Sequence, residues 1–454
     1  MDAKIRKIIG AVSGLAVFGL TPAHGDDLFP KPEWIPNLAL GVSEIHDDNI
    51  LGVSGNGLAP QGTWVTKISP RIGFDFVPLL DTNSPFQSLS FSYAPDFAMF
   101  HEAPTENYDA HKFEVQLKGH AGNFFFLEDN DFLYNDGNRV APTCALNQLS
   151  GPQANQFDKY RNQFANTPPR ERRNQIQDRE ASALQYDVES FFVRASTALL
   201  DYDMNTAFHN TSKAPYLGYQ NYPSRYDVNG GPDFGWRFAT NLALTVGYRY
   251  GAQYQEQFPS YISSDSHASS STYQQALVGL EGKPFSWLRV KLDGGPDFRN
   301  YERNAPVDNL HPTKYYADAT LAAVITTNHV LTFDYKQWNW VSSSGNVPEF
   351  DSYYALNYHW RATSRLAFDL GAKIQNADYT GGNDTAGTAP SIRSDREYTL
   401  APGATYAFTE HLSTTLTYTY NAGNNELDTI PASSHPAYKN FIAQTVFLGF
   451  VYRF

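Results

Sequence analysis

Twelve histidines, many carboxylates and one cysteine are the raw material for chemistry in this 454-residue chain. The first arrangement to seek is Ser-His-Asp or Ser-His-Asn, and the serine with the most suggestive surroundings is Ser54, in Gly52-Val53-Ser54-Gly55. A nucleophile of that kind needs a strand-to-helix elbow to expose its oxygen. The segment lacks one, so Ser54 reads as part of a glycine-rich first loop. No two histidines stand at zincin spacing, and Cys144 alone makes neither a cysteine-rich zinc site nor an internal disulfide. Asp47-Asp48, Asp201 with Asp203, and Asp293 with Asp297 could offer oxygens to calcium. None has the spacing of an EF-hand loop, and solvated turn or lumen carboxylates describe them better. The chain therefore reads as a non-enzyme, with no catalytic residue, metal site or cofactor assigned.

The elements that would position any binding groups show a period of two. In 365–375, Leu366, Phe368, Leu370, Ala372 and Ile374 alternate with Arg365, Asp369, Lys373 and Gln375. The same alternation runs through 242–250, 351–360 and 412–420, which marks strands with one apolar and one polar face. Very short connections at Lys283-Pro284, Thr327-Asn328, Ala362-Thr363-Ser364 and Thr409-Glu410 separate these strands. They alternate with long polar stretches at 253–270, 302–313, 341–350, 380–392 and 422–438. Tight turns at one end and long loops at the other are the periplasmic and extracellular sides of an outer-membrane barrel. Earlier candidate strands fall near 37–45, 64–76, 86–96, 111–120, 123–134, 186–196, 200–209 and 224–236. With ten more from 241 onward the expectation is an all-β, antiparallel, up-and-down transmembrane barrel of about eighteen strands, with sixteen as the alternative. The last strand places Val446, Leu448, Phe450, Tyr452 and Phe454 on one face, and it must pair with the first strand to leave no open edge in lipid.

Composition agrees with export to that location. Lys4, Arg6 and Lys7 precede an apolar run from Ile8 to Leu20 and the small-residue site Ala23-His24-Gly25, which reads as a signal peptide over 1–25. The run contains three glycines and is followed by Pro22, short of a helical span. Mean hydropathy is −0.45, compatible with a barrel because only alternate strand residues meet lipid. Aromatic residues make up 15% of the chain, as interfacial girdles require. Net charge is −13, and removal of residues 1–25 leaves −15, which argues against nucleic-acid partners.

On this assignment the strands of 26–454 send Arg249, Arg289, Lys291, Asp293, Asp334, Lys336, Asp369 and Lys373 into the lumen. Such charges belong in water, since the cations would cost about 2–4 kcal/mol each at the bilayer midplane. The stretch 135–183 is polar and rich in proline. It is expected either as a loop folded into the lumen, narrowing it with Arg170, Arg172, Arg173 and Arg179, or as an extracellular loop. Trp338, Trp340 and Trp360 could stack on sugars, and girdle positions account for them equally well.

Gly41-Val42-Ser43-Glu44 with Asp47-Asp48-Asn49-Ile50, then Ile68-Ser69-Pro70-Arg71-Ile72 and Leu89-Ser90-Phe91-Ser92-Tyr93 followed by Asn107, His111 and Lys112, resemble the β-barrel porin 2 family. The resemblance implies an outer-membrane protein of the kind encoded with exopolysaccharide synthesis and export. It also implies that Phe450, Tyr452 and Phe454 form the signal read by the barrel-insertion machinery. The stretch 135–183 is longer than the corresponding loop of that family. The expected function is a passive channel for hydrophilic solutes, extracellular polysaccharide among them. Its partners are outer-membrane lipid, the insertion machinery and the solute, and homo-oligomerisation is left open. The rivals are an outer-membrane hydrolase with a rim active site and a closed structural or adhesive barrel.

Overall fold

The computed structural model describes residues 32–50, 62–81, 83–137, 175–204, 223–261, 267–341, 347–379, 393–427 and 441–454. The expected signal segment, Ser54, Cys144 and the candidate arginines Arg170, Arg172 and Arg173 lie outside them. The strands are β1 (Asn37–Asp47), β2 (Thr63–Asp75), β3 (Phe86–Tyr93), β4 (Asp96–Phe100), β5 (Tyr108–Ala121), β6 (Phe124–Gly137), β7 (Gln175–Val188), β8 (Phe191–Met204), β9 (Arg225–Ala239) and β10 (Leu242–Gln255). They continue with β11 (Ser271–Phe285), β12 (Leu288–Tyr301), β13 (Thr313–Thr326), β14 (His329–Val341), β15 (Pro348–Arg361), β16 (Leu366–Tyr379), β17 (Arg393–Ala407), β18 (Leu412–Leu427) and β19 (Phe441–Arg453).

Every pairing is antiparallel, and β3 and β4 both lie between β2 and β5 as two halves of one stave. The break falls at Ala94-Pro95, where proline brings no N–H to the ladder. The barrel therefore has eighteen staves, not sixteen. It closes through β1 and β19, with Ala39 opposite Arg453 and Asp47 opposite Thr445. At the upper end of this seam the Asp48 carboxylate accepts the Gln444 backbone N–H at 2.7 Å and its side-chain amide at 3.2 Å.

Burial is inverted relative to a soluble protein. Along β10 the apolar Leu244, Val246 and Tyr250 are 40, 55 and 54% exposed, while Thr245, Gln253 and Gln255 are 3, 3 and 0% exposed. Water-loving side chains fill the inside and apolar ones face outward, as a hydrocarbon solvent demands. Aromatic rings cluster outside at the short-turn end. Trp360 stacks between His329 and Phe368, and Phe285 stacks on Trp287.

Three expectations need correction. The turn expected at Lys283-Pro284 lies at Ser286-Trp287. The strand runs on through an irregularity at Gly282, whose φ of 138° is open to glycine, and a Cβ there would lie 2.0 Å from the Asn241 carbonyl oxygen. The strand expected over 186–196 is instead a hairpin turning at Glu189-Ser190, and residues 200–204 of the one expected over 200–209 are the upper end of β8, the remainder lying outside the described residues. The polar stretch 135–183 is also shorter than expected, because 135–137 end β6 and 175–183 belong to β7. The cause is visible in β7. Its inward Gln175, Gln177 and Arg179 and its outward Asp178, Glu180 and Ser182 are all polar, so there is no contrast of period two to read. The outward set is joined by hydrogen bonds from Asn130 to Asp178 at 3.0 Å and from Ser182 to Glu128 and Glu180.

Candidate functional site

The wall parts between β13 and β14 at the long-loop end. β14 pairs with β13 only as far as Gln337, yet with β15 as far as Val341. Residues Trp338–Val341 turn inward over the β8–β12 side of the lumen. The Asn339 carbonyl oxygen accepts the Arg299 guanidinium at 2.8 Å and the Gln253 amide at 3.0 Å, from β12 and β10. The Asn339 side-chain amide meets the Tyr301 hydroxyl at 3.0 Å. Trp338, Trp340 and Val341 bury themselves against Tyr202, Met204, Tyr353 and Ala355.

The tether is a closed polar network. Arg299 forks onto Asp297 with two bonds of 3.0 Å and reaches Gln253 at 2.5 Å. Asp297 also accepts the Gln275 amide at 2.9 Å. Gln253 in turn donates to Asp227 at 2.5 Å, and the Tyr273 hydroxyl donates to the same carboxylate at 2.7 Å. Tyr273 carries the Arg299 guanidinium over its ring at 4.4 Å. It can lie there because Gly251 has no side chain, and a Cβ on that residue would come within 2.3 Å of the ring. Buried charges survive when paired and hydrogen-bonded in this way.

Below the tether lies a chamber of about 410 Å³ between strands β6 to β14, bordered by Arg194, Arg249, Lys291, Asp293 and Lys336. Asp233 bridges two of its cations, meeting Arg249 at 2.7 and 3.0 Å and Arg194 at 3.0 Å. Arg194 also holds Glu281 with bonds of 3.0 and 3.1 Å.

The residues expected in the lumen are thus divided. Arg249, Lys291, Asp293 and Lys336 border one chamber, where Lys336 also lies 5.0 Å over the Trp338 ring. Asp334 is buried beside them and accepts the Thr320 hydroxyl at 2.9 Å. Arg289 is exposed near the short-turn end of the same inward face of β12. Asp369 and Lys373 lie on β16, outside the chamber. Asp369 meets His359 at 2.7 Å, and Lys373 lies over the Tyr353 ring at 6.0 Å. Arg179, expected in a constriction loop, borders the chamber from strand β7. Phe450, Tyr452 and Phe454 share the outward face of the closing strand, with the last two rings 4.9 Å apart.

Sequence reasoning missed Arg299, Asp297, Gln253, Asp227, Tyr273 and Asn339 as the parts of a tether. One signal was present. Trp338 and Trp340 continue the inward parity of Asp334 and Lys336, a place where a water-filled pore has little use for indole.

At the outer rim, the Thr66 hydroxyl lies 2.8 Å from both His101 Nε2 and a Glu44 oxygen. This resembles a nucleophile beside a base, but Glu44 meets Thr66 and the same ring nitrogen, 3.6 Å away, so it does not orient the far side of the imidazole as a triad acid does. Neighbouring Glu102 accepts the Thr63 hydroxyl and the Trp64 N–H, which together hold its carboxyl below the ordinary range. Of the calcium candidates, Asp48 serves the seam, Asp297 is bound to Arg299, and Asp201 and Asp203 lie on the outward face of β8. Among the described residues no group of three or more metal-binding side chains is assembled.

A closed barrel of even stave number, apolar outside and polar inside, with short turns at one end and long loops at the other, has one physical setting. It is an outer-membrane β-barrel. Neither a protein-family model nor a curated protein matches the chain, so the porin 2 resemblance gains no family assignment. Among solved structures, the barrel is similar to the siderophore receptor PirA from Acinetobacter baumannii, with a TM-score of 0.42 and 9% identity over 92% of this chain and 80% of that one. It is likewise similar to the outer membrane protein opdK from Pseudomonas aeruginosa, with a TM-score of 0.40 and 9% identity over 92% and 99% of the two chains. OpdQ from the same organism gives 0.38 and 9% over 93% and 100%.

Proposed function

We propose that this barrel is a diffusion channel for small hydrophilic solutes, narrowed to a charged chamber rather than open along its length. The observation that carries this reading is the chamber itself. Its walls present Arg194, Arg249, Lys291, Asp293 and Lys336 to a space of about 410 Å³ that residues 338–340 also border. Charged groups of both signs in a hydrated passage stabilise partly dehydrated polar solutes while holding none of them tightly. Passage of an extended polysaccharide, implied by resemblance alone, draws no support from a lumen narrowed on one side by a hydrogen-bonded segment.

The test is ion conductance of the detergent-folded mature chain in a planar bilayer, with its salt dependence. Steady single-channel steps with ion selectivity are expected. Silence from a barrel whose folding is shown by heat-modifiable gel migration would overturn the channel reading. It would favour the closed barrel instead, a reading that the tether also suits.

A further inference from the structure

The β13–β14 ladder ends with Ala317 opposite Gln337, although β13 extends back to Thr313 and β14 runs on to Val341. Two strand ends therefore part from each other while each keeps its other neighbour. Thr313 to Tyr316 stay paired with β12, and Trp338 to Val341 with β15.

Which edge each backbone presents follows from the bonds that frame the two strands. The Arg299 N–H donates to the Pro312 carbonyl oxygen and the Val324 N–H to that of Trp287, so even-numbered residues of β13 address β12 and odd-numbered ones address β14. The Arg361 N–H donates to the Asn328 carbonyl oxygen, so even-numbered residues of β14 address β15. Tyr315 and Asn339 thus turn their N–H and C=O groups toward the gap. Continued in its own register, the ladder would set Tyr315 opposite Asn339 as a hydrogen-bonded pair, like Ala317 and Gln337.

In place of a strand, Asn339 has side chains. Its carbonyl oxygen takes the Arg299 guanidinium at 2.8 Å and the Gln253 amide at 3.0 Å. Its N–H, on a residue 3% exposed, has no hydrogen-bond partner among the described residues, and neither has the Tyr315 backbone. A buried amide without a partner is costly, and an open strand edge in a membrane wall is normally paired or covered. The arrangement is underbonded along the edge where the ladder could run on.

We infer that the β13–β14 junction is a switch between two arrangements: the one described, in which Arg299 and Gln253 hold Asn339 off the wall, and a zipped one, in which Thr313–Tyr316 and Trp338–Val341 complete the ladder and the lumen widens. The exchange strands no charge. Tyr315 replaces the side-chain donors at the Asn339 carbonyl oxygen, while Arg299 keeps Asp297 and Gln253 keeps Asp227. What zipping gives up is the packing of Trp338 and Trp340 on Tyr202 and Met204 of β8. Two packings of one hairpin end, each complete where the other is deficient, are the kind of element that moves between discrete states. Because Tyr316, Trp338 and Trp340 border the chamber, the same movement enlarges it. The widening rests on the channel reading for its consequence, and the movement itself does not.

The test uses the full mature chain carrying Cys144→Ala, folded in detergent and mildly oxidised. Tyr315→Cys with Asn339→Cys is expected to form a disulfide, because hydrogen-bonded partners of a ladder stand about 5.5 Å apart at Cα, within the range that a disulfide spans. Neither substitution touches Arg299, Gln253 or the Asn339 carbonyl oxygen. Ala319→Cys with Tyr335→Cys, opposite each other where the ladder is continuous, shows that the conditions suffice. Single-channel current is read before and after reduction. A stepwise rise in conductance on crosslinking, lost again on reduction, is expected of the first pair and not of the second. Absence of the 315–339 crosslink would overturn the switch, and so would a crosslink that leaves the conductance of a conducting barrel unchanged. A reversible 315–339 crosslink in a barrel that conducts in neither form sinks the channel reading and leaves the movement standing.

Discussion

Arg299 and Asp233 are each multiply paired, with opposite consequences. Arg299 is sealed from solvent, so its replacement strands a partner. Arg299→Gln leaves Asp297 charged and buried, which is expected to cost about 3–5 kcal/mol. Replacing Asp297 by Asn in the same chain should recover much of it, as read from urea unfolding in liposomes. Asp233 stands at the chamber wall between Arg194 and Arg249. Asp233→Asn removes the carboxylate from Arg249 and leaves Arg194 with Glu281 alone, and the reversal potential under a salt gradient is expected to move toward anion selectivity with little change in stability. No shift in selectivity would remove these residues from the conduction path.

At the scale of elements, the upper end of the β14–β15 hairpin is the narrowing device. Trp338→Ala combined with Trp340→Ala removes most of its apolar anchor against Tyr202 and Met204. Larger single-channel conductance is expected, and unchanged conductance would place the resistance elsewhere. Strands such as β10 and β16 were legible in the sequence because lipid and water impose opposite chemistry on alternate residues. β7 was not, since acidic and amide groups occupy both of its faces. The inward charges of β10, β12 and β14 could be assigned by parity alone. Their grouping around Arg299 could not, because it depends on β14 leaving the wall, and a departure from the cylinder leaves no period in the sequence. The outward carboxylates Glu128 and Glu180 lie where hydrocarbon or its boundary is expected. Glu128→Leu with Glu180→Leu should therefore raise stability in lipid by up to about 2 kcal/mol, since the cost of burial in lipid is lower for carboxylates than for lysine or arginine.

Over the whole molecule, closure leaves the sheet without a free edge along its length in lipid. Removing residues 441–454 would expose one edge on β1 and another on β18. Truncated chains are expected to show no heat-modifiable barrel, even though every other stave is intact. The outward Phe450, Tyr452 and Phe454 would be lost in the same deletion. Alanine at these three positions separates their recognition by the insertion machinery, as the family resemblance implies, from the pairing that the backbone supplies.

The seam also has a kinetic meaning. Consecutive staves pair with each other all around the wall, so each of those ladders joins strands that are neighbours in the sequence. The β1–β19 ladder instead joins residues near 40 to residues near 450. Contacts of such sequence separation form late, and their closure entropy is repaid only once the local ladders are in place. Assembly should then pass through an open, curled sheet with two bare edges, and its slowest step should be the meeting of those edges. Asp48→Ala, which removes the Gln444 clamp, is expected to slow the final acquisition of the compact form in a time course of heat-modifiability. A change inside the lumen such as Arg299→Gln should chiefly hasten unfolding. The clamp that finishes the wall in space would also be what sets the time at which the wall is finished.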